Sequence, residues 1–246
     1  MQSAISVCSH QFVFLKGVFT PEWRIKFFME KQYILFDLDG TLTDSMEGIT
    51  KSVQYALNAM GIEVEDHREL SFFVGPPLRD SFQQHYGFTD EEADDAVRLY
   101  REYYRPKGIF ENAVYEGIPE MLEHLCDAGK TLLVATSKPT DFAEQILAHF
   151  GLDQYFDFVA GATMEEGRTK KADVIAYLLE ECQLVDTSEL IMVGDRSHDV
   201  LGAKELGIPS VGVLYGYGSK QELKKAGADY IVKTVAELEE LLLEED

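Results

Sequence analysis

From residue 32 onward the chain alternates short apolar runs with helical periods, and this rhythm limits the folds open to it more than any other feature. The runs Tyr33–Phe36, Thr131–Ala135, Phe156–Ala160, Leu190–Val193, Ser210–Val213 and Tyr230–Val232 are each bounded by Gly, Pro, Asp or Lys. That is the pattern of strands buried on both faces of a parallel sheet. Between them lie helical periods over Ile118–Ala128, Asp141–Phe150, Ala172–Cys182, Val200–Leu206 and Val235–Leu243, with Gly129, Gly151 and Gly207 just past three of them, as C-cap glycines are. The alternation predicts an α/β fold, a Rossmann-like parallel sheet with helices on both faces.

One stretch breaks the rhythm. Residues 45–110 carry helical periods (Ile49, Val53, Ala56, Leu57 and Met60, then Ala96, Leu99 and Tyr103) but no good buried-strand run. They read as a small helical subdomain inserted into an α/β core made of residues 29–44 and 111–246. Residues 1–28 stand apart as an N-terminal extension, expected to be dispensable or disordered, with Met29 a candidate natural start. Phe12–Leu15 is apolar, but the segment has no basic n-region, its apolar stretch is broken by Ser9, His10 and Gln11, and no small-residue cleavage site follows, so a signal peptide is a poor reading.

Composition narrows the partners. The chain is 46% hydrophobic and 27% charged, ordinary for a globular protein, and has no apolar run long enough to span a membrane. Asp+Glu 44 against Lys+Arg 22 gives a net charge of -22, a surface that repels nucleic acid and anionic membranes. A phosphorylated metabolite would be repelled too, so binding one requires a local positive site from a metal ion or a few Lys and Arg. Cys8, Cys126 and Cys182 are widely spaced and odd in number, which fits a reducing cytoplasm and no disulfide framework. Cys126 and Cys182 are expected to face the core.

In an open α/β sheet, ligands gather at the carboxyl ends of the strands, and polar residues collect at those ends here. After the first run come Asp37-Leu38-Asp39-Gly40-Thr41. An Asp-Gly hairpin is the bland reading, yet the chain enters a helical period near Ser45 instead of returning as a strand. Two carboxylates so close at the mouth of a buried strand are tolerable only with a cation, and hard oxygen ligands suit Mg²⁺. After the second run come Thr136-Ser137-Lys138-Pro139, where a hydroxyl could bond a phosphoryl oxygen or simply cap the next helix. Lys170-Lys171 opens a helix, an unfavourable place for cations unless they have another task. Gly194-Asp195 follows the run Leu190–Val193, with Asp199 four residues on from Asp195, on the adjacent turn of one helix. His198 reads as a surface residue.

In this order the motifs resemble those of the haloacid dehalogenase superfamily, which carries DxDxT, then Ser/Thr, then Lys, then GDxxxD. The resemblance covers about residues 32–244 and extends to Gly75-Pro76-Pro77-Leu78 and Gly212–Gly218, which are similar to the phosphoglycolate phosphatase and 5'-nucleotidase-like branch. It implies a Mg²⁺-dependent cytoplasmic phosphatase of small phosphorylated metabolites, monomeric or weakly homo-oligomeric, binding neither nucleic acid nor membrane. By this resemblance Asp37 is the nucleophile and Asp39 the general acid/base. Thr136, Ser137 and Lys171 or Lys170 bind phosphate, and Asp37, Asp39 (through its backbone carbonyl) and Asp195 hold the metal. Asp199 stands behind them; the inserted residues 45–110 match the family's small helical cap over a catalytic core, and Arg79 in that cap is the candidate contact for the rest of the substrate. A phosphomutase on the same core, or a regulatory protein that binds without turnover, are the alternatives.

Overall fold

The computed structural model of the protein describes residues 31–163, 168 and 170–243. The extension expected over residues 1–28, and Met29, lie outside the described residues. Six strands form one parallel sheet in the order β5-β4-β1-β6-β7-β8. They are β1 (Tyr33–Phe36), β4 (Thr131–Pro139), β5 (Phe158–Ala162), β6 (Leu190–Gly194), β7 (Ser210–Val213) and β8 (Tyr230–Val232). The first strand is thus central, flanked by β4 and β6, and the strand order departs from it in both directions. This is the Rossmann-like α/β architecture, whose ligand crevice lies at the carboxyl edge where the order reverses.

Period-two geometry explains why these runs are apolar throughout. Ile34 and Phe36 join Leu132, Val134, Ile191 and Val193 in one buried cluster, whereas Leu35 joins Leu133, Ala135, Leu190 and Met192 in another. The second cluster is covered by Val174, Ile175 and Leu178 from the helix Lys171–Glu181. No helix among the described residues is long and apolar enough to cross a membrane.

Between β2 (Thr43–Asp44) and β3 (Ala113–Val114), paired antiparallel, the chain adds helices and no strand to the large sheet. These are α1 (Met46–Ala59), α2 (Leu78–Tyr86) and α3 (Asp90–Tyr104), with 3₁₀ turns at His67–Phe73 and Gly108–Phe110. Helix α3 starts on a capping box in which Thr89 and Glu92 satisfy each other's backbone donors. The later helices are α4 (Ile118–Asp127), α5 (Thr140–His149), α6 (Lys171–Glu181), α7 (Ser197–Glu205), α8 (Lys220–Ala226) and α9 (Val235–Leu243).

Several boundaries differ from the sequence expectation. Phe156 lies before β5, not in it, and meets Phe36 edge-on at 6.2 Å between ring centres, so its hydrophobicity serves the core without strand pairing. Strand β4 continues past Ala135 to Pro139, which pairs with Ala162 after a register shift. Helix α7 begins at Ser197 instead of Val200, its first turn being polar. Cys126 is exposed, contrary to expectation, because the buried face of α4 is Ile118, Met121, Leu122 and Leu125. Cys182 is half-buried against the second cluster.

Phe36 is fully buried at the centre of the sheet. Phe36→Ala should cost about 3–5 kcal/mol in urea unfolding, the usual penalty for emptying an aromatic core site. Val185→Ala, at a side chain 96% exposed, should stay within about 0.5 kcal/mol of wild type.

Candidate active site

Asp37 follows β1 directly, and its backbone N–H still donates to Val193 O at 2.9 Å. The Leu38 carbonyl then accepts from the N–H groups of Thr41, Leu42 and Thr43, closing a tight loop. Leu38 and Leu42 are fully buried in the core, which pins that loop, while Asp37 and Asp39 line a cavity of about 470 Å³. Gly40 turns the chain at φ 81°, and a Cβ there would lie 2.4 Å from Asp195 Oδ2. Gly194 has the same constraint, since its Cβ would fall 2.3 Å from the Asp199 carboxyl carbon. Glycine at both points lets β1, β6 and α7 bring their acids together.

The meeting point is Lys171. Its ammonium lies 2.9 Å from Asp37 Oδ1 and 2.7 Å from Asp199 Oδ1, and donates to Ala135 O at 3.0 Å. All three side chains are buried. Burial would push the ammonium down, but Asp199 and Asp37 outweigh it and hold Lys171 above its ordinary value. Lys170 is exposed at the N-cap of α6 and makes no side-chain cap bond. Of the two lysines named from sequence, only Lys171 joins the cluster.

Asp37, Asp195 and Asp199 each offer an oxygen within 4.8 Å of the others. Asp195 Oδ2 accepts from Tyr217 N at 2.7 Å, whereas its Oδ1 is buried with no hydrogen-bond partner. Burial, then Asp199 and Asp37, push the Asp195 carboxyl well above the usual carboxylate range. Burial also raises Asp199, with Asp37 adding to it and Lys171 opposing. Three clustered carboxylates against one ammonium leave excess negative charge in a desolvated place. An orphaned oxygen and an all-oxygen donor set fit a hard divalent cation. Asp199, expected to stand behind the others, is therefore a member of the acidic cluster and not only its support.

The Asp39 side chain turns away from this cluster. Its Oδ2 lies 3.0 Å from Lys138 Nζ, and Lys138 also donates to Tyr104 OH at 2.7 Å. Thr136 is buried, with Oγ1 accepting from Lys138 N at 3.2 Å, and Thr136 and Ser137 line the same cavity as Asp37. The capping reading of Thr136 fails, because Pro139 occupies the N-cap of α5. His198 is exposed, as expected. Arg79 lines the cavity too, but its guanidinium is held by Asp94 at 2.8 Å and Asp90 at 3.0 Å. Lys138, Tyr104 and Arg101 also line the cavity and had not been singled out for it. Lys138 stood in the quoted Thr136–Pro139 run, where a helix-start reading hid it.

The raised carboxyls have a measurable sign. A carboxyl held above its unfolded value binds more protons when folded, so the metal-free protein loses stability as pH rises through the raised values. Mg²⁺ at about a hundred times its Kd should then add about 2.7 kcal/mol, raising the thermal midpoint by roughly 5–10 °C at neutral pH. The shift should shrink at pH 5 and vanish in Asp195→Asn. A wild-type midpoint indifferent to Mg²⁺ at both pH values would contradict the assignment of this cluster as a cation site.

Comparison with known proteins gives the family. The family described as haloacid dehalogenase-like hydrolase matches residues 34–213. The chain is 46% identical to a 5'-nucleotidase of Pseudomonas aeruginosa, over 85% of this chain and 94% of that one. It is 40% identical to the tyrosine-protein kinase PtkA of Mycobacterium tuberculosis, over 86% of this chain and 72% of that one. The crystal structure of a predicted phosphatase from Clostridium acetobutylicum superimposes with a TM-score of 0.85 at 52% identity, covering 87% of this chain and 99% of that one. The chain belongs to the haloacid dehalogenase-like hydrolases and is a phosphoric monoester hydrolase.

Proposed function

We propose that the protein is a Mg²⁺-dependent phosphatase of small phosphate monoesters, phosphoglycolate or nucleoside monophosphates among them, working through an aspartyl-phosphate on Asp37. The observation that carries this reading is the buried contact of Asp37 with Lys171, 2.9 Å apart, with Asp37 and Asp39 both lining one cavity.

Asp37 attacks phosphorus in line, and the leaving oxygen departs on the opposite side, so one hard displacement becomes two easier ones. Asp39 gives its proton to that oxygen, then takes one from the water that attacks the aspartyl-phosphate, for about 10²–10⁴-fold of the rate. Lys138 holds the Asp39 carboxylate at one oxygen and leaves the other, which has no partner, for the proton transfer. Lys171, Thr136 and Ser137 bear on the equatorial phosphoryl oxygens as a preorganised set of donors. Asp37, Asp195 and the Asp39 backbone carbonyl would hold Mg²⁺, with Asp199 beside them. When bound, the ion neutralises charge on the phosphoryl group and on the clustered acids.

The segment between β2 and β3 acts as a cap in this reading. It covers the leaving group and keeps water from the site, and its small size favours compact metabolites over phosphoproteins. Arg79 is a candidate contact at its rim. A cytoplasmic location is inferred from the thiols Cys126 and Cys182, which are both free.

The test is hydrolysis of p-nitrophenyl phosphate with Mg²⁺ and with EDTA. Wild type should turn over only with Mg²⁺. Asp37→Asn should lose at least about 10³-fold in kcat while keeping its fold by circular dichroism, in line with removal of a covalent nucleophile. Substantial activity in Asp37→Asn, or in EDTA, would sink this mechanism. Phosphoryl return to a second hydroxyl of the substrate, instead of release of phosphate, would favour the mutase.

A further inference from the structure

The cavity, at about 470 Å³, has room for much more than a phosphoryl group, and helix α3 forms one wall of it. Asp94, Val97, Arg101 and Tyr104 all line it, at spacings of three and four residues that put them on a single helical stripe. Tyr104 marks the end of the stripe nearest the acid/base carboxylate, since Lys138 bridges Tyr104 OH at 2.7 Å and Asp39 at 3.0 Å. Arg101 sits one turn back, about 5–6 Å along the same face.

The two arginines of this wall differ. Arg79 is tied to Asp90 and Asp94. The half-buried Arg101 guanidinium makes no hydrogen bond or ion pair among the described residues. Burial, and then the like charge of Arg105, push it below its ordinary value. A basic residue in the last turn of a helix complements the helix dipole, but an exposed side chain does that equally well and need not be drawn into a cavity wall. A planar five-donor fork without a protein acceptor, facing a site for small esters, is matched to the ligand.

We propose that Arg101 is a specificity-determining residue that binds acceptor oxygens on the leaving group, about one helical turn from the ester oxygen that Asp39 protonates. The inference rests on the phosphatase reading above and adds the direction in which the leaving group lies. The oxygens can come from a carboxylate, as in a phosphorylated hydroxy acid, or from the carbonyls of a nucleobase.

Two matched pairs of esters separate these sources: phosphoglycolate against ethyl phosphate, and uridine monophosphate against ribose 5-phosphate. In at least one pair the wild type should prefer the acceptor-bearing ester in kcat/KM. Arg101→Gln should lower that preference by roughly tenfold to a hundredfold, the range of a charge-assisted hydrogen bond, mainly through KM. Arg101→Lys should restore part of it. The pair that responds names the source. Preferences in both pairs left as in wild type, or an equal fall on all four esters, would overturn the inference. p-Nitrophenyl phosphate in the same assays keeps the two ideas apart: wild type inactive even on that ester would refute the phosphatase reading and this inference with it.

Discussion

The ammonium of Lys171, 2.9 Å from Asp37 and 2.7 Å from Asp199, is the interaction on which the rest of the site depends. Three carboxylates from the ends of β1 and β6 and from the start of α7 crowd within 4.8 Å, all of them buried. Without a cation among them the repulsion would force the loops apart or protonate the acids. Lysine answers part of that charge and leaves the remainder for an ion. The same contact ties α6 to the sheet, because α6 covers the second apolar cluster while its first residue reaches over to the end of β1. Gly202 allows that reach, since a Cβ there would come within 2.9 Å of the Lys171 stem.

A second lysine links the core to the helices that overhang it. Lys138, at the end of β4, touches Asp39 of the core and Tyr104 of α3, and its ammonium also lies 4.9 Å from the Tyr104 ring centre. Arg196 makes a comparable bridge on the other side, donating to Val74 O at 2.7 Å while paired with Glu222. The helical segment is therefore held at both flanks by charged groups of the core. Seating of α3 and orientation of the Asp39 carboxylate are consequently coupled through Lys138.

Most of the fold was legible in the sequence because parallel strands buried on both faces leave unbroken apolar runs. β1, β7 and β8 fall on their expected residues, and where β5 and α7 shifted the cause was local. Phe156 is apolar for the core's sake, and Ser197–Asp199 is helical despite its polarity. The nearness of Asp37 and Asp195 at neighbouring strand ends was legible as well, since acids at strand mouths have few other uses, whereas Asp199, expected behind them, lies in the same cluster. The choice between Lys170 and Lys171 was not, because adjacent residues on a helix differ by about 100° in direction and composition is blind to that angle. Lys138 and Arg101 were hidden for another reason. Their significance depends on partners brought from elsewhere in the chain, or on the lack of one among the described residues: Tyr104 lies 34 residues from Lys138, and Asp90 and Asp94 pair with Arg79 and not with the Arg101 guanidinium.

The central claim is that Asp37 carries the phosphoryl group between two half-reactions. Asp39→Asn with p-nitrophenyl phosphate tests it most directly, because nitrophenolate leaves without a proton and only the second half-reaction then needs the missing carboxylate. Rapid mixing should give a burst of about one equivalent of nitrophenolate per site, and acid-quenched enzyme should carry its phosphoryl group on Asp37 by peptide mass spectrometry. A phosphoryl group on any other residue, or steady release without a burst and without labelled enzyme, would contradict the account.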